Sequence, residues 1–189
     1  MVRGWRIAMA GILMAAGLGC GAAVAQDVDI LAVFAKAMTD QRVGVARKTK
    51  PVDGRPAKVG EVVVTVIKGE GVESRSKPAE EGDIVIRNRC PATGNEEYLV
   101  KAARMKDRYG EPKTAPDAAG WVEYEPKGAE MRYFILGDKE GPWSFKAPWG
   151  EDMVAKPGDA IVQDPANPKD TYRIAAASFA CTYNVTKAP

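Results

Sequence analysis

No histidine occurs anywhere in the sequence. That absence removes the Ser-His-acid triad, the Cys-His pair and every histidine-ligated metal site. Thiols, carboxylates and aromatic rings are left to do chemistry. Beyond Cys20, the cysteines are Cys90 and Cys181, too far apart in the chain to read as a metal-ligand pair. In an oxidising compartment two such cysteines suggest a disulfide; two buried thiols are the alternative. Carboxylates are plentiful, as in Glu80-Glu81, Glu96-Glu97 and Glu151-Asp152, but these adjacent pairs read as solvated. Acid–base catalysis by two carboxylates needs a spatial separation that sequence does not give. No alternating Asp/Asn calcium loop is present. Gly69-Glu70-Gly71 lacks the third glycine and the following helix of a phosphate loop. No catalytic residue, metal ligand or cofactor is assigned.

The aromatic candidates are concentrated in one stretch, Gly141 to Gly150, which holds Trp143, Phe145 and Trp149 between and beside Pro142 and Pro148. Exposed, the three rings would form a recognition surface for sugars, peptides or apolar ligands, with area at low entropy cost. The period-two spacing of Trp143 and Phe145 also fits a strand that packs its rings inward. A basic stretch, Val43 to Lys58, carries Arg47, Lys48, Lys50, Arg55 and Lys58 just after Arg42, with Pro51, Gly54 and Pro56 as punctuation. It reads as a solvated linker or edge; functionally, it would contact an acidic partner or a membrane surface.

The chain begins with a secretory signal pattern. Arg3 and Arg6 precede a short apolar run, Ile7 to Leu18, and Ala23-Val24-Ala25 fits the small-x-small cleavage rule. Cleavage after Ala25 leaves Gln26 first; lipoprotein processing at Cys20 is the rival. The apolar run is too short to span a bilayer. The whole chain has 27 Lys+Arg and 25 Asp+Glu. Loss of the two signal arginines makes the processed chain formally neutral, with no basic excess for nucleic acid.

Elements that would position these residues come in two similar runs. Glu81-Gly82-Asp83 and Lys156-Pro157-Gly158-Asp159 each open an apolar run, then a Pro/Asn loop and a second short strand. Ala102-Ala103 and Ala176-Ala177 follow, then Met105 or Phe179, and four residues later Tyr109 or Tyr183. A turn, a hairpin and a short helix, twice, is the physical expectation. Glu61 to Lys68, apolar on both faces, is expected to be a central strand. Its counterpart would be Arg132 to Leu136. Asp27 to Thr39 is expected as a helix with Ile30, Leu31, Phe34 and Met38 on one face.

Pro157-Gly158-Asp159, with Tyr172, Phe179 and Tyr183 downstream, resembles the PGDYG-type unit of uncharacterised bacterial and phage proteins. Ala160 and Ile161 stand where that motif has Tyr and Gly, and the first run has Glu81 in place of the Pro. The resemblance implies no activity and no catalytic residues, since none is assigned to that family.

The expectation is therefore an α+β protein, two related β-hairpin-plus-short-helix units in one compact β-rich body after an N-terminal helix. The divisions are 1–25 signal peptide, 26–58 helix and basic linker, 59–115 first unit, and 116–189 second unit. The function expected is an exported, periplasmic or secreted, non-catalytic binding module for a protein or polymer partner in the cell envelope. It has no nucleic-acid partner and no membrane span once the signal is removed. A carboxylate- or Tyr-dependent enzyme acting on cell-wall polymer and a small-ligand carrier are the alternatives.

Overall fold

The computed structural model describes residues 24–189; the signal pattern and Cys20 lie outside that range, apart from its last two residues. In chain order the elements are β1 (Gln26–Asp27), α1 (Ile30–Thr39), β2 (Gly44–Lys48), β3 (Val52–Pro56), β4 (Val64–Ile67) and β5 (Gly71–Arg75). Then come β6 (Ile84–Asn88), β7 (Glu97–Val100), α2 (Ala102–Arg108), β8 (Val122–Tyr124), β9 (Glu130–Ile135) and β10 (Trp143–Lys146). The chain closes with β11 (Asp152–Ala155), β12 (Ala160–Asp164), β13 (Asn167–Ile174), α3 (Ala176–Thr182) and β14 (Tyr183–Lys187).

This corrects the α+β expectation. Among the described residues strand far exceeds helix, and the strands form four sheets ordered β13-β12-β9-β2-β14, β7-β6-β3-β8, β1-β10-β11 and β4-β5. Helix among the described residues is confined to ten-residue α1 and to α2 and α3, seven residues each. The physical reason lies in strands whose inward residues are small. In β2 the buried positions are Gly44 and Ala46, and in β3 they are Val52 and Gly54. A Cβ on Gly44 would stand 2.7 Å from the Tyr133 ring, and one on Gly54 2.7 Å from the Tyr124 ring. These glycines let aromatic rings lie flat on the sheets, and they leave no apolar alternation in the sequence.

Sheet membership also cuts across the expected division of the chain. β3, from the segment read as linker, pairs with β6 and β8, while β2 pairs with β9 and β14. Glu61 to Lys68 is not central. Only Val64–Ile67 is strand, paired with β5 alone. Val66 and Val72 are cross-strand partners on its open face, 49% and 55% exposed.

The two Gly-Asp turns make the same ties. Asp83 accepts hydrogen bonds from the Glu80 and Ala102 amides at 2.8 and 3.0 Å. Asp159 accepts from the Lys156 and Ala176 amides at 2.8 and 3.0 Å. Each carboxylate thus joins the turn before a hairpin to the start of the helix after it, satisfying amides that a short helix leaves unpaired. The glycine before each Asp has positive φ, +82° at Gly82 and +88° at Gly158.

In α1, Asp29 caps the helix, and Ile30, Phe34 and Ala37 face inward, while Leu31 and Met38 are exposed. Phe34 meets Phe134 edge-on at 5.5 Å in the larger core, with Met131, Ile161, Val162 and Phe179. A smaller core groups Val52, Ile86, Val100 and Tyr109. Cys90, in the loop after β6, is disulfide-bonded to Cys181 in α3, with Cα atoms 6.0 Å apart.

Candidate functional site

The expected aromatic surface is not one surface. Phe145 is 6% exposed and sits in the larger core, and Trp143 packs half-buried against that core from β10. The inward-packing strand describes both, because β10 pairs along its whole length with β11. Trp149 alone is exposed, at 41%, in the turn after β10, with its ring 5.4 Å from that of Tyr172. Phe145 is scaffold, so a three-ring recognition face does not exist.

A better-formed site grows from the register of β3. Asp53 lies opposite Arg87 on β6 and opposite Glu123 on β8. Opposed positions share a face, so a carboxylate in the middle strand is set beside a guanidinium. Arg89, two residues beyond Arg87, returns to that face. Arg87 donates to Asp53 Oδ2 at 3.1 Å, and Arg89 donates to Asp53 Oδ1 at 2.6 Å and to Glu123 Oε2 at 2.7 Å. Burial pushes the Asp53 carboxyl up, but hydrogen bonds from Arg89 and Arg87 outweigh it and hold the group below the ordinary carboxylate range. Arg87 also stacks over the Trp121 ring at 4.1 Å.

Beside this row opens a cavity of about 370 Å³ lined by Lys50, Asp53, Arg87, Asn88, Arg89, Pro91 and Asn95. Asn88 forms a buried floor: its amide donates to Glu96 at 2.7 Å and its oxygen accepts from Lys48 at 2.7 Å. Thr93 and Ser178 hydroxyls also donate to Glu96, so the loop that carries Pro91 and Asn95 is pinned to α3. The disulfide pins it a second time. Lys50 Nζ lies 3.6 Å from Cys181 Sγ. Among the described residues it has no carboxylate within ion-pair distance, whereas Arg87 and Arg89 have Asp53. Three cations therefore face one carboxylate across the lining. The lone carboxylate is held ionised between two guanidiniums, which makes it a poor proton acceptor. The arrangement is suited to holding charge and not to moving protons.

Sequence reasoning pointed at the basic stretch but not at this cavity. Arg42 and two basic residues of the stretch are consumed in ion pairs: Arg42 with Glu140, Arg47 with Glu130 and Arg55 with Glu61, each at 2.6 Å. Lys50 is the member that reaches an open space. The signal was its place between two strands, three residues before Asp53.

Two further polar groups were candidates. Arg173, nearly buried, donates to Asp159 and Glu70 at 2.7 Å each and to Glu73. Burial pushes the Glu73 carboxyl up. Burial also pushes Glu70 up, but Arg173 and Lys156 outweigh it and hold that group down. Carboxyls split in this way can serve acid–base catalysis. Here the adjoining cavity is only about 90 Å³ and Arg173 already engages both groups. That volume suits a few water molecules.

The second group is a junction between sheets. Lys48 Nζ donates to Asn88 at 2.7 Å and to the Tyr98 hydroxyl at 3.0 Å, and the Tyr98 and Tyr109 hydroxyls are 2.8 Å apart. Burial lowers the Lys48 pKa to about 8. Burial raises Tyr109 to about 12 and lifts Tyr98 and Tyr183 well above the ordinary range. The pH dependence of stability follows. Between pH 8 and the ordinary lysine value the unfolded chain holds a proton that folded Lys48 has released, so stability rises with pH. From about pH 10 the unfolded tyrosines ionise before the folded ones, so stability falls. Urea unfolding from pH 7 to 11 should place the optimum between pH 8 and 10. Lys48→Met should erase the rise, worth about 2–3 kcal/mol, and keep the fall.

Comparison with protein-family models, with curated proteins and with solved structures finds no match to this chain. Among the described residues no group of three or more Cys, Asp or Glu side chains is disposed to hold a metal ion, and no helix is long and apolar enough to cross a membrane.

Proposed function

We propose that this chain is a non-catalytic binding module, exported to the periplasm or beyond and acting on a partner in the cell envelope. Its recognition site is the cavity between Lys50, Arg87, Arg89, Pro91 and Asn95. The observation that carries this is the combination of open volume, about 370 Å³, with an unspent ammonium on a lining anchored by β3, β6 and the disulfide. A cavity of that size lies in the range of small-molecule sites. Side chains held on strands and by a cross-link lose little entropy on binding. A small-ligand carrier is the second reading, supported by the same volume.

Affinity capture from the envelope with the processed protein as bait tests the proposal. Pro91→Trp puts a bulky ring on the cavity lining from an exposed position. It should abolish capture of whatever the parent protein retains, with thermal stability changed little. Capture unaffected by Pro91→Trp would move the recognition site elsewhere.

A further inference from the structure

We propose that the group held in the cavity is an oxyanion, a carboxylate or phosphate on a small molecule or a polymer, and that Lys50 is its counter-charge. This rests on the cavity being the recognition site. Each cation of the lining has a defined state. Arg89 spends Nε, Nη1 and Nη2 on Asp53 and Glu123. Arg87 spends Nε and Nη2 on Asp53, and its Nη1 has no protein acceptor among the described residues. Lys50 spends nothing on a carboxylate, and its near neighbour is Cys181 Sγ at 3.6 Å. That sulfur is in a disulfide and carries no charge, so the contact leaves the ammonium uncompensated.

An ammonium and one free guanidinium edge on the same lining are the donor set that recognises carboxylate and phosphate oxygens. The Trp121 ring lies 4.1 Å from the Arg87 guanidinium carbon and, with Asp53, restrains that side chain on the lining. Asp53 holds Arg87 and Arg89 side by side and does not reach Lys50. Asp53 and Glu123 together balance the two arginines, so the positive excess of the lining is the Lys50 ammonium. The processed chain is formally neutral, so this excess is a local concentration and not a reflection of the whole surface.

The experiment is a titration of the ¹⁵N-labelled processed protein with glutarate, inorganic phosphate and uncharged glutaramide, read at the amides of residues 50–53 and 87–95. Glutarate, phosphate or both should shift these amides, and glutaramide should not. Affinity should weaken between 50 and 200 mM salt, as screening requires. Lys50→Gln should weaken it by about ten- to a hundredfold, the range of a charged hydrogen bond, while Lys50→Arg retains most of it. Preference between glutarate and phosphate tells which oxyanion the site favours. Glutaramide binding as well as glutarate would overturn the oxyanion assignment and leave the cavity as a recognition site. No shift with either oxyanion would also overturn it. Loss of capture in Pro91→Trp decides the cavity separately.

Discussion

Asp159→Ala is expected to cost about 3–5 kcal/mol of stability, the scale for breaking one side of a buried ion pair. Asp159 is almost wholly buried and joins three things at once: the Lys156 amide, the Ala176 amide at the start of α3, and Arg173 Nε at 2.7 Å. Its loss leaves two amides without acceptors and strips Arg173 of its buried partner. Glu70 and Glu73 remain on that arginine, which sets the upper limit. Asp83 is the internal control. It accepts the matching pair of amides, but its cation is Lys101, on the surface. Asp83→Ala should therefore cost only what a lost cap costs, about 1–2 kcal/mol. Chemical denaturation of both variants compares them. Equal losses would mean that the Arg173 cluster adds nothing to the turn.

Removing the disulfide with Cys90→Ala and Cys181→Ala should lower stability by about 4–5 kcal/mol, because a cross-link between residues 91 apart closes a long loop in the unfolded chain. Thiol counting on unfolded, unreduced protein should find neither cysteine free. A double variant as stable as its parent would show that the unfolded chain gains nothing from release, and two free thiols would show that the bond is not formed. The same bond anchors the loop of Pro91 and Asn95, so on the proposed reading the variant should also bind glutarate more weakly at temperatures where it remains folded.

The two Gly-Asp turns and the cysteine pair were legible in the sequence although the fold class was not, and the reasons are local. Gly82-Asp83 and Gly158-Asp159 stood out because a turn needs positive φ at glycine and a short acceptor next to it. Cys90 and Cys181 stood out because two cysteines in a chain read as exported have one possible mutual bond. β2 and β3 were not legible. Their inward residues, Gly44, Ala46 and Gly54, are small so that Tyr133 and Tyr124 can lie over them, and small residues leave no apolar stripe. Glu61 to Lys68 misled in the opposite direction. β-branched residues on the open face of a two-stranded hairpin look like a buried strand when read alone. The cavity was hidden because it is assembled by register. Asp53, Arg87 and Glu123 meet only once β3 lies between β6 and β8. The aromatic stretch was visible but ambiguous, since rings that alternate serve a core and a binding face equally well.

The most direct test of the account is where on the protein a ligand is felt. In the ¹⁵N spectrum of residues 26–189, saturating glutarate should shift amides clustered at residues 50–53 and 87–95, on the walls of the cavity. Shifts centred instead on the exposed Val66–Val72 hairpin, or on the turn that carries Trp149, would place recognition outside the cavity and contradict the account.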